Sequence, residues 1–363
     1  MKKTKDKKRI VPRILIPATT LLLLTALLLL ISRNSPLVAD FVNSYIATPL
    51  RYITAKMTHP FPISLFEVAL LSFLPFLVGI IVLAVRRDTA PAEKLRAVLS
   101  GVSAIAIFYS GYLTVMSIPY NTTPLAEHLG IEERQDISRD DLYLATLIVR
   151  DNVNELSPRI SREGGEGVMP YDLREASYLI CEAYDGLRAD YPFFLNFTSA
   201  VKPVFFSGIM SDMGISGIYT YFTGEANVNT SYPDYCTVFT AAHEMAHQRG
   251  INRENEANLM AFLALSYSED EFLRYSAYLN LYEYLSSALY RADKDAYFEL
   301  RSGLDADALS DIAISNAVTV AHRDSPLYKL MNNVNDAYLK SNGTEGVVTY
   351  GYVVRLAVAY LLK

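Results

Sequence analysis

Apolar residues follow two regimes along this chain. In the first third they form long unbroken runs, and beyond about residue 120 they recur with helix or strand periodicity. Ile14 to Ile31 is largely aliphatic, with leucine at positions 21–24 and 27–30. Phe66 to Val85 and Leu95 to Met116 follow. Each run is near the ~20 residues that cross the hydrocarbon of a bilayer. The pattern therefore predicts a module of three transmembrane helices over 14–118, with spans at about 14–31, 66–85 and 95–116. Gly101, Ser103, Ser110 and Gly111 are small enough for close helix packing in the third span. Between the first two spans, Leu37 to Ala55 reads as an amphipathic helix lying along the membrane surface. The segment from Thr58 to Ser64 reads as an interfacial loop, with His59 a surface residue.

From 119 to 363 the pattern is that of a folded domain. Asp140 to Leu156 and Tyr171 to Leu187 carry helical periodicity, with a glycine-rich charged loop from Ser161 to Met169 between them. Val201 to Ser207 and Gly217 to Phe222 read as short strands. From Pro233 onward nearly everything reads as helix, with starts at Asn252, Ser268, Asp305 and Ser325 before Pro326. Val347 to Leu362 is apolar but broken by Tyr350, Tyr352 and Arg355, which predicts a packing helix rather than a fourth span. The fold class expected is α+β, mostly helical, with a small sheet.

Charge orients the module. Lys2, Lys3, Lys5, Lys7, Lys8, Arg9 and Arg13 form a basic head over 1–13, and Arg86, Arg87 and Arg96 lie on the same side after two crossings. The positive-inside rule makes that side cytoplasmic, despite Arg51 and Lys56 in the first outer loop. The N-terminal run resembles a signal peptide but lacks a clear small-residue cleavage site, so it is read as a retained span. Three spans place everything after about Tyr120 outside the cytoplasm. A net charge of −6, with no basic face interleaved with aromatics, excludes a nucleic-acid partner. The chain has 26 tyrosines and no tryptophan, so aromatic anchoring at an interface falls to tyrosine and phenylalanine. The two cysteines, Cys181 and Cys236, have no CxxC spacing, which excludes a cysteine metal site. Two free thiols are favoured over one disulfide.

The chemistry concentrates in His243-Glu244-Met245-Ala246-His247. On a helix, residues i and i+4 share a face, so both imidazoles reach one cation. Glu244 points about 100° round the helix, beside the metal rather than on it, where it can take a proton from metal-held water. Three side chains plus water complete a catalytic zinc site, so a third ligand is needed. Gly250 can end the first helix in a left-handed conformation, and Asn252 can cap a second that turns back past the histidines. Glu254 and Glu256 both lie in its first turn and both are candidates. Glu254-x-x-Ala257-Asn258 resembles the ExxAD or ExxAN element of gluzincin zinc peptidases. That resemblance implies Glu254 as third ligand and Asn258 as the residue orienting a ligand histidine, with Glu256 as the alternative ligand. The spacer is shorter than in many gluzincins. The glycine turn is similar to that of metzincins, but Arg253 stands where their third histidine would be.

A wider resemblance covers nearly the whole chain. Phe61-Pro62-Ile63-Ser64-Leu65-Phe66, Pro124-Leu125-Ala126-Glu127, Gly217-Ile218-Tyr219 through Thr223-Gly224-Glu225-Ala226-Asn227-Val228-Asn229, the HExxH helix and Tyr338-Leu339-Lys340-Ser341-Asn342-Gly343 carry it. The chain resembles a family of bacterial multi-pass membrane proteins of unknown function with an extracytoplasmic HExxH domain. The resemblance implies a zincin-like metallopeptidase domain and a zinc ion (Zn²⁺). It also suggests that Gly217, Ile218, Tyr219, Thr220 and Tyr221 form an edge strand for an extended substrate, turning away over Thr223 to Asn227. The other reading of that stretch is a loop fixed by asparagine hydrogen bonds. Tyr338, His322 and Arg323 are candidate oxyanion stabilisers by residue type, and His322 is equally placed to cap its helix.

The function expected is a membrane-anchored zinc metallopeptidase acting on peptide or protein substrates outside the cytoplasm, with the lipid bilayer as a second partner. Glu244 would be its general base. The alternative is a zinc-stabilised receptor or assembly module without turnover. A transporter is disfavoured by the few ionisable residues in the spans.

Overall fold

The computed structural model describes residues 12–85, 90–133 and 136–363. Lys2, Lys3, Lys5, Lys7, Lys8 and Arg9 of the basic head, and Arg86 and Arg87, lie outside the described residues.

The first 121 residues, where described, are helical apart from short connections. Helix α1 (Leu15–Ser32) leads to α2 (Pro36–Val42), one π turn (Asn43–Ala47) and α3 (Thr48–Thr58). Helix α4 (Leu65–Val85) follows, then α5 (Pro91–Tyr112), extended through a π turn and a 3-10 turn to Asn121. Helix α1 packs along α5. Among the described residues two stretches, Leu15–Ser32 and Pro91–Asn121, are long and apolar enough to cross a membrane. That is one fewer than the three expected. The expected span at 66–85 coincides with α4, some of whose side chains lie outside the described residues. The expected surface helix from Leu37 to Ala55 is two helices. Their outer face is apolar and exposed at Leu37, Phe41, Tyr45, Ile53 and Met57, and their inner face buries Ala39, Val42, Ala47, Arg51 and Ala55.

The remainder is mostly helical with two small sheets. It contains α6 (Leu125–Leu129), α7 (Arg139–Leu156), a hairpin of β1 (Arg162–Glu163) and β2 (Glu166–Gly167), and α8 (Leu173–Asp190). The glycine-rich loop therefore includes a short hairpin, which Gly164 and Gly165 turn at positive φ. Then come β3 (Lys202–Pro203), α9 (Ser207–Asp212), β4 (Gly217–Thr220) and β5 (Glu225–Val228). The rest is helical: α10 (Asp234–Gln248), α11 (Glu254–Ser266), α12 (Glu271–Ala292), α13 (Lys294–Ser302), α14 (Ala306–His322), α15 (Pro326–Ser341) and α16 (Val353–Leu361).

The core explains this order. Helix α11 is buried almost all round, from Glu256 through Leu265, because α10, α12, α8 and α16 surround it. Leu259, Met260, Leu263, Leu273, Leu279 and Leu285 are fully enclosed there. Val353, Val354, Leu356, Ala357 and Val358 join the same core, so the C-terminal apolar run packs as a helix, as its pattern predicts.

Caps differ from expectation at two places. Asp305 and Ser325 cap α14 and α15 as expected. The start read at Ser268 belongs to Asp270, whose side chain accepts from Leu273 N–H. The cap read at Asn252 is absent, because α11 begins after Arg253 and Asn252 has other partners.

The second sheet has the order β3-β5-β4, with β3 parallel and β4 antiparallel to β5. The strand expected over Val201 to Ser207 shrinks to Lys202–Pro203, because Ser207 already opens α9. The strand expected over Gly217 to Phe222 ends at Thr220, so Tyr221 lies in the turn. The chain does not turn away over Thr223 to Asn227. Gly224, at φ +68°, reverses it, and Glu225 to Val228 returns as β5, with Ile218 opposite Asn227 and Tyr219 opposite Ala226.

This sheet is clamped to the start of α4. The Glu225 carboxylate accepts from the backbone N–H of Leu65 and Phe66 at 3.1 and 2.9 Å, closing the helix's first turn against its dipole. Ser64 donates to Asn227 Oδ1 at 2.7 Å, and Glu67 accepts from Phe205 and Phe206 N–H. Helix α1 ends beside the end of the 91–121 stretch, where Asn121 Nδ2 donates to Ser32 Oγ at 3.3 Å. Two apolar helices thus end, and a third begins, on one side of the folded domain.

Candidate metal centre

Helix α10 carries His243 and His247 one turn apart, with ring centroids 4.7 Å apart. It stops where a glycine permits. Gly250 takes φ +99°, and Ile251 N–H closes on Ala246 O at 3.1 Å, the six-residue return of a Schellman end. The chain then reverses into α11, whose first residue is Glu254. Glu254 Oε2 lies 3.2 Å from His243 Nε2 and 3.4 Å from His247 Nε2. The three ligand atoms lie within 4.8 Å of one another, and all three residues are buried.

The tautomers point the same way. His247 Nδ1 lies 2.7 Å from Ile251 O, a carbonyl that can only accept, so Nδ1 carries the proton and Nε2 presents a lone pair. His243 Nδ1 pairs with Asn258 Oδ1 at 2.8 Å, the orienting role expected of Asn258. Two nitrogen lone pairs and a carboxylate oxygen thus converge among buried side chains, a demand that a cation satisfies. Protonation answers the same demand. Burial alone would lower the His247 pKa, but the Glu254 carboxylate beside it raises it to about 9. Conversely, burial would raise Glu254, and the two imidazoles hold it well below the usual carboxylate range. These residues fit a metal ion, which would take the place of that proton.

Glu256, the alternative ligand, does not join them. Its Oε1 accepts from Arg253 Nη1 at 2.8 Å and from Leu125 N–H at 2.9 Å, so it tethers α11 to α6. Glu244 lies next to the three but is not one of them. Burial raises its carboxyl above the ordinary value, while His243 and His247 pull it down. A Tyr219 backbone hydrogen bond also reaches it, from edge strand β4.

Strand β4 passes very close to α10. A Cβ on Gly217 would stand 2.5 Å from Thr240 Cγ2 and 2.6 Å from Glu244 Oε1, so only glycine fits without movement. Gly217→Ala should leave metal content unchanged while displacing strand and carboxylate together. If the site is catalytic, turnover should fall at least about ten-fold, within the range that an ångström of misplacement produces. Metal analysis and kinetics on one preparation check both halves.

A cavity of about 1100 Å³ opens over the centre, lined by His243, Glu244, His247, β4, α15 and several tyrosines. Tyr338 lines it, as the residue-type argument allowed, and Tyr350 joins it without having been anticipated. Burial and the nearby Glu254 carboxylate hold both phenols well above their ordinary pKa, so both remain hydrogen-bond donors. His322 is elsewhere, its Nδ1 2.7 Å from Asp212 Oδ1, and Arg323 is exposed and outside the lining. Neither faces the centre. His59 is half-buried against Tyr178 rather than on the surface. Cys181 and Cys236 are free thiols.

Glu283 also lines the cavity, accepting from Tyr235 Oη at 2.8 Å, and burial pushes its carboxyl up to about 7. A raised acid contributes stability that is complete below its unfolded pKa and lost as pH rises through 7. Glu283→Gln should therefore raise the melting temperature at pH 8, by up to about 3 kcal/mol of stability, and leave it nearly unchanged at pH 4. Melting curves at the two pH values check this.

Sequence reasoning missed Arg51, treated as an outer-loop charge. Its side chain is fully buried and has no acidic partner among the described contacts. It donates to Asn43 Oδ1, Val115 O and Asn252 Oδ1. Asn43 Nδ2 in turn donates to Gly250 O, and Asn252 Nδ2 to Val115 O and Met116 O. The turn that positions Ile251 O behind His247 is thereby bolted to α3 and the end of the 91–121 stretch.

The molecule is thus a mostly helical protein with apolar helices long enough for a membrane and a buried His-His-Glu group that can hold a metal ion. The chain belongs to the family described as Protein of unknown function (DUF3810), whose model matches residues 41–358. No curated protein and no solved structure matches it.

Proposed function

We propose that this protein is a membrane-anchored zinc metallopeptidase of zincin-like architecture, with its catalytic domain outside the cytoplasm. The observation that carries the reading is the division of labour around α10. Three buried ligand atoms converge, while a fourth side chain, the acidic Glu244, stands beside them with its pKa raised. A purely structural centre has no use for that carboxylate. His243, His247 and Glu254 would hold the ion, which supplies Lewis acidity and makes a neighbouring water more acidic.

The chain's own groups account for the remaining steps. Glu244 accepts the proton of the attacking water and delivers it to the leaving amine, as a base with a raised pKa can near neutrality. Strand β4 lies at a sheet edge, so an extended substrate can pair along it. Tyr338 and Tyr350 can donate to the oxyanion that develops at the scissile carbonyl. Membrane attachment is supported by the exposed aliphatic surface of α1 and the 91–121 stretch, and α4 is read as a third span. The positive-inside argument supports the outer location of the domain.

The test is cleavage of an unstructured peptide mixture by the zinc-loaded full chain, native and Glu244→Gln. Cleavage lost in the variant with zinc retained is the expected result, and equal cleavage refutes the reading.

A further inference from the structure

We infer that this site, on the peptidase reading above, takes a particular class of substrate: the apolar stretch of a membrane-anchored protein just where it emerges from the bilayer.

One side of the cavity wall is not contributed by the folded domain. It is made by Phe66 in the first turn of α4 and by Tyr112 and Met116 at the end of the 91–121 stretch. That stretch has 31 residues, or roughly 46 Å of helix at 1.5 Å per residue, against a hydrocarbon thickness of about 30 Å. The excess lets its last turns project past the acyl chains, and the carbonyls of Val115 and Met116 are already bonded to Asn252 of the folded domain, which places Tyr112 and Met116 at the headgroup end of the helix. Side chains below them are exposed and apolar, Ile105 at 70% and Phe108 at 53%. Tyr109 and Tyr112 stack on each other with ring centroids 5.5 Å apart, and tyrosine is a residue type that favours the membrane interface.

The substrate-pairing strand leads to the same place. Beyond Thr220 the chain runs into Tyr221 and Phe222, both of which line the cavity and pack on Phe108 with ring centroids at 5.1 and 5.5 Å. Tyr221 Oη donates to Phe108 O at 2.9 Å, so the end of β4 is fastened to the apolar helix itself. A peptide laid along β4 therefore has one end at Glu244 and the other at the surface from which a membrane-anchored chain would rise. Gly224 packs so closely on Thr54 and Ala55 of α3 that no side chain fits between them, which holds this arrangement rigid. The α2–α3 segment on that side turns Leu37, Phe41, Tyr45 and Met57 outward, the apolar face expected of a helix seated in the interface.

The test places the zinc-loaded full chain in phosphatidylcholine vesicles together with peptides anchored by one transmembrane helix. Each carries the same fluorogenic apolar segment, placed about 5 or about 25 residues from the bilayer, a difference of up to roughly 70 Å of extended chain. Both are confined equally to the vesicle surface, so effective concentration does not separate them. A soluble copy of the segment is the third substrate. The proximal peptide should be cleaved at least ten-fold faster than the distal one, and Glu244→Gln should abolish both. Distal cleavage as fast as proximal overturns the juxtamembrane inference and leaves the peptidase reading standing, as does preference for the soluble copy. Cleavage of none of the three overturns both.

Discussion

Replacing Glu254 by Gln should weaken zinc binding by at least about 100-fold, whereas Glu256→Gln should keep one zinc per chain. Losing even an outer-shell partner costs 10- to 100-fold in metal affinity, so losing a direct ligand sets a higher floor. The two acids sit two residues apart in one helical turn, yet their surroundings differ. Glu254 faces two imidazole lone pairs, and Glu256 holds Arg253 and the start of α6. Glu256→Gln should therefore lower the melting temperature, because it removes charge-assisted hydrogen bonds each worth about 1.5–3 kcal/mol, without emptying the site. Isothermal titration with zinc and thermal melts on both variants separate the roles. The reverse pattern, metal lost with Glu256 and kept with Glu254, would assign the wrong ligand.

Glu244→Gln should lower peptide turnover by about 10²–10⁴-fold at unchanged zinc stoichiometry. The amide preserves shape in a place where Gly217 leaves no spare room, so strand β4 should stay where it is. It cannot accept the water proton, so the chemical step is lost and binding is retained. Burial raises the native carboxyl, and the ascending limb of the pH–rate profile should accordingly lie above the pH at which an ordinary glutamate ionises. Steady-state kinetics across pH, with metal content measured on the same samples, reads both effects. Turnover equal to that of the native protein would remove Glu244 from the mechanism.

Much of the centre was legible because its geometry is local. The i, i+4 spacing of His243 and His247, the glycine stop and the short return to Glu254 all lie within twelve residues, a range in which helix periodicity fixes direction. What remained open was the choice between Glu254 and Glu256. Both occupy the same helical turn, and only the placement of α6 shows where Glu256 is used. Asn252 has the residue type of a cap, and tertiary contacts with Val115 and Met116 took its side chain instead.

Long-range features were less visible. Arg51 looks like any loop charge, since nothing nearby in sequence hints at burial against residues 64 and 201 positions away. Strand β5 alternates Glu225, Ala226, Asn227 and Val228 and reads as a polar turn. It is wholly buried because Ser64, Leu65 and Phe66 bring partners for its polar side chains. The stretches shared with the resembled family make sense in that light. Ser64, Leu65 and Phe66 bond to Glu225 and Asn227, Leu125 bonds to Glu256, and Tyr338 lies against Tyr120 at the cavity. They are far apart in the chain and assemble round one place.

The most direct measurement is zinc K-edge X-ray absorption of the full-length protein loaded with one equivalent of zinc, beside the His243→Ala and Glu254→Gln variants. The account predicts a first shell of nitrogen and oxygen near 2.0–2.2 Å with two imidazoles and no sulfur, degraded in each variant. Failure to retain zinc, or a shell unchanged by either substitution, would contradict it.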